Sequence, residues 1–386
     1  MGGGARAAYQ VGVLSGVLEI LDPGRSAQFA NPFSIICGSS AGAINAAALA
    51  CRADTPHLGI VRMQSLWENI HTEMVYYADA SGLFYTGLRW FGMLAAGWLM
   101  PSRRSQHPRS LLNNEPLGKL LSATLDFEHL SHNLKQGHLD ALAITATAYV
   151  SGEHLTFYQS QSTIKPWRRS LRRAISCSLG VDHLLASSSI PFVFPAQAML
   201  VHGQTEWCGD GSMRQLAPLS PAIHLGAKKI FVIGTGHRDD THAEKRTINS
   251  QYPTLAQIGE HALSNIFLDS LSMDVERLER INELLALLPP QEQKSHSLRP
   301  VEAFTITPSR SLDEMAMEHL DKMPRAARSL FRVLGVSSGS GRTTGGGLIS
   351  YLLFEASYTQ ELIKLGRADS LSRFEEVKAF FKETPE

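Results

Sequence analysis

Phe33-Ser34-Ile35-Ile36-Cys37-Gly38-Ser39-Ser40-Ala41-Gly42-Ala43-Ile44-Asn45-Ala46-Ala47-Ala48 carries the reading of this chain. Its first five residues form an apolar run of the length of a buried strand. Gly38-Ser39-Ser40-Ala41-Gly42 follows as a turn of small residues, and the alanine-rich run after it favours a helix. Strand, tight turn and helix together hold a serine hydroxyl out for attack. Gly38 and Gly42 let the backbone bend around Ser40. The helix N-terminus beside the serine favours negative charge developing there. Alone, the pattern also fits an ordinary strand–helix turn with an incidental serine, so the rest of the chain must decide.

Working outward, Ala5 to Leu21 has apolar residues at helical spacing and stops at the turn Asp22-Pro23-Gly24. Ala141 to Val150, His154 to Tyr158 and Lys228 to Gly234 read as strands. Ser170 to Ser178 and His183 to Ser188 read as helices before the turn at Pro191–Pro195. Strands this apolar, separated by helices, imply an α/β sandwich. After about residue 250 the pattern becomes helical. Leu255 to Leu288 is one long helical stretch and Leu348 to Leu365 an amphipathic helix. Between them, Ser337 to Gly347 is a flexible loop by composition.

The chain has 386 residues, 44% hydrophobic and 19% charged, enough for a substantial core in one large or two moderate domains. The 36 basic and 36 acidic residues cancel, so no global attraction to nucleic acid is expected. The basic run Trp167-Arg168-Arg169-Ser170-Leu171-Arg172-Arg173 reads as a solvated helix face. Cys37, Cys51, Cys177 and Cys208 show no pairing pattern, which suits a reducing, cytoplasmic setting. The scattered histidines show no metal spacing, so neither a metal nor an organic cofactor is expected. No secretory signal peptide is evident. Leu83 to Met100 has about the minimum length of a membrane span, but Arg89 and the glycines Gly87, Gly92 and Gly97 argue against one. Its Trp, Phe and Leu residues fit either core packing or shallow insertion into a lipid surface.

A serine needs a base and donors for an oxyanion. Two clusters offer them. Gly2-Gly3-Gly4-Ala5-Arg6 leaves backbone N–H groups uncovered at the start of a helix. No lysine–serine pair follows, so it is not a phosphate loop. Gly209-Asp210-Gly211-Ser212 places a carboxylate in a turn among strand ends, where open α/β sheets carry their sites. A histidine could complete a triad instead, with His183, His202, His224 and His237 as candidates.

These clusters together resemble the patatin-like phospholipase family. Gly2-Gly3-Gly4-Ala5-Arg6 with Tyr9-Gln10-Val11-Gly12-Val13-Leu14 is similar to its glycine-rich oxyanion loop. Gly38-Ser39-Ser40-Ala41-Gly42-Ala43 is similar to its nucleophile elbow, and Asp210-Gly211-Ser212 to its aspartate turn. The segment Ala186 to Pro195, then Pro218-Leu219 and Gly226-Ala227, follow in the family's order. The resemblance covers about residues 1 to 236. It implies a Ser–Asp dyad: Ser40 attacks an ester carbonyl, and Asp210 accepts its proton and later activates water. Gly2, Gly3 and Gly4 hold the oxyanion, while Arg6, Gly38, Gly42 and Gly211 shape the site. An ordinary aspartate is a weak base for a hydroxyl, so Asp210 must be desolvated to work.

The expected fold is therefore a three-layer α/β/α sandwich around a mixed, mostly parallel sheet. Residues 1–236 form the catalytic domain, with a helical, aromatic-rich insertion or lid at about 75–115. Residues 250–386 form a helical C-terminal extension containing the loop 337–347. The expected activity is hydrolysis of a lipid carboxylic ester through an acyl-serine, at a membrane or micelle surface and with peripheral membrane contact. Two alternatives stand beside it. Members of the family carry an apolar strand before the triglycine loop, whereas Met1 directly precedes Gly2 here. One alternative is thus a lipid-binding or scaffold protein with an incompetent site. The other is a transacylase that passes the acyl group to a second lipid. Oligomeric state, headgroup and chain length are not legible.

Overall fold

A computed structural model of the chain describes residues 2–77, 110–201, 203–236, 269–289, 292, 298–333, 337–339, 342–344 and 346–382. The segment Leu83–Met100, the candidates His202 and His237, and the first part of the stretch Leu255–Leu288 lie outside the described residues.

A single 3-10 turn at Gly4–Arg6 leads into α1 (Ala7–Leu21), whose residues 7 to 14 are all buried. The chain then forms β1 (Ile35–Ser39), α2 (Ala41–Ala50), α3 (Pro56–Glu68) and α4 (Thr72–Val75). α5 (Glu115–Thr124) and α6 (Phe127–Gln136) follow. The Asp126 side chain caps α6 by accepting from His129 N–H, and Gly137 ends it in the left-handed region. Next come β2 (Ala141–Ala148), β3 (His154–Ser160), β4 (Arg168–Arg169), β5 (Arg172–Ser176) and α7 (Val181–Ser187). β6 (Gln197–Val201) and β7 (Gln204–Asp210) form a hairpin that leads to α8 (Ser220–Leu225) and β8 (Lys229–Ile233). The C-terminal part contains α9 (Asp269–Ala286), β9 (Glu302–Ile306), α10 (Leu312–Glu318) and α11 (Arg325–Val333). A small hairpin of β10 (Ser337–Gly339) and β11 (Arg342–Thr344) precedes α12 (Gly346–Leu352), α13 (Ala356–Ser372) and α14 (Phe374–Phe381).

Among the described residues the main sheet has seven strands. β2 is its centre and is buried along its whole length. One edge of β2 pairs antiparallel with β3. Its other edge is shared. Ala141 to Thr145 pair with β1 in parallel, and Ala146 to Ala148 pair with β7 antiparallel. Ile36, Leu142, Ile144 and Phe157 on one face belong to a core shared with α1, α2, α3 and α13. Ala141, Ala143, Tyr158 and Ala174 on the other pack with Trp167 and with Leu225 of α8. Leu219, Ala222, Ile230, Val232, Leu271 and Leu278 join α8 and α9 to β8. Helices thus cover both faces of a mixed sheet, as the three-layer reading expects. Each fully buried aliphatic side chain in such a core contributes about 1.5–3 kcal/mol.

Four expectations need correction. Among the described strands of this sheet, antiparallel pairs outnumber parallel ones: only β1–β2 and β3–β5 are parallel. The short turns after β2, β4 and β6 make hairpins, which force the antiparallel arrangement. Ser170 to Ser178 is not a helix, because Arg172 to Ser176 joins the sheet as β5, paired with β3 and with β4 just before it. The Glu153 carboxylate binds Arg168 and Arg173 there, so tertiary pairing overrides the helical reading. Ser337 to Gly347 is not a loop throughout, since β10 pairs β11 and α12 starts at Gly346. Leu348 to Leu365 is two helices, broken where Glu355 adopts an extended backbone.

β8 and β9 pair in parallel as a second, two-stranded sheet. A cleft of about 3180 Å3, mouth included, lies between β1 and β8, lined by Phe33, Cys37, Ile230 and Val232 among others. The C-terminal helices pack directly on α1. Tyr9 Oη donates to Asp369 Oδ2 at 2.8 Å, and Arg367 pairs with Glu19 at 2.8 Å. No helix among the described residues is long and apolar enough to cross a membrane.

Candidate active site

The shared edge of β2 builds the site. β1 runs up that edge and ends with Ser39 opposite Thr145, while β7 runs down it and ends with Asp210 opposite Ala146. Two strands from distant parts of the chain therefore finish beside consecutive residues of one strand. Ser40 is the next residue after β1, so its side chain and that of Asp210 meet. Ser40 Oγ donates to Asp210 Oδ2 at 2.6 Å. Both residues are buried, at 1% and 0% exposed.

Ser40 has φ 54° and ψ −135°, in the left-handed half of backbone space that a side chain rarely adopts. Such strain persists where neighbours over-determine it. Ser187 Oγ accepts the Ser40 N–H at 2.8 Å, and Ala43 N–H donates to Ser40 O at 2.9 Å. Gly38 lies against Gly42 and Ala43 at the start of α2. Strand and helix are thus drawn together at the turn.

Asp210 is held on both sides. Its N–H donates to Ser189 O at 2.9 Å, and its Oδ1 accepts the Ser212 N–H at 2.8 Å. The Gly211 N–H donates to Ser187 O at 3.1 Å, and Gly211 O lies 3.0 Å from Nε2 of the buried His154. Burial raises the Asp210 pKa from 3.8 to about 6, although the hydrogen bonds from Ser40 and Ser212 pull the other way. Burial lowers that of His154 to about 4, so its ring is neutral at pH 7. The carboxylate therefore has no cationic partner in its hydrogen bonds. Serine hydroxyls and backbone N–H groups hold it.

The triglycine loop closes the third side. A Cβ on Gly2 would fall 2.6 Å from Ser40 Cβ and 2.7 Å from Ser212 Oγ, so only a bare backbone fits beside the serine. Gly2 O accepts from Thr235 Oγ1 at 3.0 Å. The Gly3 N–H has no hydrogen-bond partner among the described residues. Gly4 has φ +54°, and a Cβ there would lie 2.0 Å from Tyr351 O. Arg6 anchors the loop from below. Although 2% exposed, it donates to Ser350 Oγ at 2.8 Å, pairs with Asp313 and lies 4.1 Å over the Tyr351 ring. Ser39 and Ser212 share a hydroxyl contact of 2.9 Å next to Gly2.

Ser40 also lines an apolar pocket enclosing about 550 Å3 of empty space, mouth included. Gly4, Ile44, Trp67, Leu121, Phe194 and Phe354 are among its walls. A hydrocarbon chain suits this lining, since nothing polar is desolvated when it enters.

All the candidate residues of the dyad and the glycine loop converge here. The described histidines of the triad alternative do not join them. His183 contacts Cys177 and Gly180 and packs on Phe157, and His224 stacks on Trp167 at 4.8 Å. Among the described residues, no group of three or more His, Cys, Asp or Glu side chains could hold a metal ion. Sequence reasoning missed Ser187, Ser212, His154 and Thr235, and the contacts of Asp313, Ser350 and Tyr351 with the loop. Ser187, inside the run Ala186 to Pro195, and Ser212, inside the aspartate turn, lay in motif segments already singled out, and His154 opened an expected strand; Thr235 lay in none.

Among curated proteins, no match to this chain was found. The family model for patatin-like phospholipase matches residues 1–223. That span is more than half of the chain and contains the Gly2–Gly4 loop, Ser40 and Asp210, so the chain belongs to the patatin-like phospholipase family, a family of lipid acyl hydrolases.

Proposed function

We propose that this chain hydrolyses the carboxylic ester of a phospholipid or related lipid through an acyl-serine formed on a Ser40–Asp210 dyad. The observation that carries the reading is the 2.6 Å hydrogen bond from Ser40 Oγ to a buried carboxylate. Asp210 takes the hydroxyl proton as Ser40 attacks the carbonyl carbon. Its raised pKa, about 6, makes it a better base than an exposed aspartate and leaves it mostly ionised at pH 7. The negative charge moves to the carbonyl oxygen, which the N–H groups of Gly2, Gly3 and Gly4 receive. Asp210 returns the proton to the leaving alkoxide, so a lipid alcohol departs. Water, deprotonated by Asp210, then attacks the acyl carbon; the bond to Ser40 Oγ breaks, Asp210 returns the proton to Oγ, and the fatty acid leaves. The apolar pocket holds the acyl chain, and the headgroup stays at the mouth.

Arg6, Gly38, Gly42 and Gly211 act in this scheme by positioning. We also assign residues 1–236 to the catalytic domain and residues 250–386 to a C-terminal extension. The chain works in a reducing cytoplasmic setting, touching membranes peripherally.

Turnover of a chromogenic short-chain ester tests the assignment. Wild type should show burst and turnover, and Ser40→Ala should show neither. Equal turnover by both would remove Ser40 from the mechanism. Adding a lipid alcohol separates hydrolysis from transfer through the products.

A further inference from the structure

The sheet carries a second feature at the end where Ser40 sits. β2 runs parallel to β1 but continues to Ala148, past the level of Ser39 and Thr145. At about 3.3 Å per residue, the turn after it stands roughly 10 Å beyond the serine's level. Arg172 of β5 pairs with His154, which pairs with Thr147, so the β4–β5 turn lies at that same end. β7 reaches Cys208 opposite Ala148, and its earlier residues with β6 extend further still. Three hairpins therefore crown the Ser40 end of the sheet.

Apolar side chains stand exposed at this end. Val150 is 78% exposed, Leu200 72% and Leu171 54%, with Tyr149 and Trp207 close to half. Tyr149 N–H donates to Trp207 O, and His154 N–H donates to Leu171 O, so the β2–β3 turn adjoins β7 on one side and the β4–β5 turn on the other. Arginines flank two of the three hairpin turns. Arg168, Arg169, Arg172 and Arg173 stand in β4 and β5, and Arg214, beyond β7, donates to Gly152 O in the β2–β3 turn; the carboxylates nearby are Glu153, Glu206 and Asp274, the last acting on Arg172. Glu153 is buried and taken by Arg168 and Arg173. In a chain of zero net charge, this is a local excess of positive charge.

We propose that this hairpin crown is the surface by which the chain docks on an anionic phospholipid bilayer. The apolar tips enter the headgroup–acyl boundary, and the arginines engage lipid phosphates from the rim. The proposal rests on the lipid-hydrolase reading for its purpose, because docking here brings a membrane to the end of the sheet that holds Ser40. Charge complementarity selects the bilayer as occupant: apolar residues alone would suit any greasy partner, but apolar residues flanked by arginine suit an anionic lipid surface.

Co-sedimentation of the full chain with two kinds of vesicle tests it, one of phosphatidylcholine alone and one also containing phosphatidylglycerol. The chain should pellet with the second in preference to the first. Arg168→Ala with Arg169→Ala should weaken that partition roughly tenfold or more. Val150→Asp with Leu171→Asp should abolish it, and both double variants should keep wild-type turnover of a soluble short-chain ester. Binding to neither vesicle, or undiminished binding by both variants, would overturn the proposal. The soluble ester reads the dyad separately. Lost turnover in Ser40→Ala alongside unchanged vesicle binding supports both readings. Ester turnover independent of Ser40 would sink the dyad and leave the docking surface standing.

Discussion

The two halves of the site are held by different means. The Ser40–Asp210 half hangs from strand register: Ser39 and Asp210 face consecutive residues of β2. The Gly2–Gly4 half hangs from side chains and carbonyls of the C-terminal region, through Arg6, Asp313, Ser350 and Tyr351. Register is an all-or-none constraint, because a one-residue slip turns every side chain to the other face. The loop is graded, held by several contacts of which each carries a part. The Ser40–Asp210 half should therefore break completely, and the loop half by degrees.

The largest effect belongs to Asp210. Asp210→Asn should lower kcat by at least about 10^3-fold, read on a soluble ester. On the proposed mechanism Asp210 acts ionised, so wild-type turnover should climb with pH through about 6 and level off above it. The stability sign is opposite. A carboxyl whose folded pKa is raised stabilises the fold below its unfolded value of 3.8, and that contribution is lost as pH rises through about 6. Asp210→Asn should thus unfold at a higher temperature than wild type at pH 8, by up to about 3 kcal/mol in stability. The advantage should vanish near pH 4. A variant less stable than wild type at pH 8 would contradict the burial argument.

Gly4→Ala comes next. Its Cβ would meet Tyr351 O at a positive φ, so the loop or α12 must move. We expect a loss of about 2–4 kcal/mol in stability and roughly a hundredfold in kcat, with KM less affected. An unchanged kcat would detach the loop from the chemistry. Asp313→Asn is milder. Arg6 keeps Ser350 and the Tyr351 ring, and the Asp313 side chain is partly open to water. About 1–2 kcal/mol of stability and less than tenfold in kcat should go. If Asp313→Asn matched Gly4→Ala, the loop would be as brittle as the register. The smallest effect should come from His183→Ala with His224→Ala. Turnover within about twofold of wild type fits a dyad, and a large loss would restore a histidine to the mechanism.

Legibility follows the same division. The turn at Ser40 and the turn at Asp210 were readable because local chemistry dictates them: small residues where backbones crowd, and apolar runs on either side. Their meeting was readable only through resemblance, since pairing of β1 and β7 with one strand leaves no local mark. The arginine run at 168–173 misled because its strands are set by partners, chiefly the edge of β3 and the Glu153 carboxylate. Arg6 was flagged, but Asp313 and Ser350 were not. They lie in helices whose sequence gives no sign of what they touch. The hairpin crown was invisible for a related reason: its tips are separated along the chain, and only the sheet gathers them.

The sharing of β2 by two strands also bears on how the chain acquires activity. β1, β2 and β7 come from distant parts of the sequence, so both pairings require the closure of long loops. No fragment short of the closed sheet places Ser40 beside Asp210. Recovery of ester turnover after dilution from denaturant should lag behind the return of helical signal. The dyad would then serve as a clock hand for the last long-range step of folding.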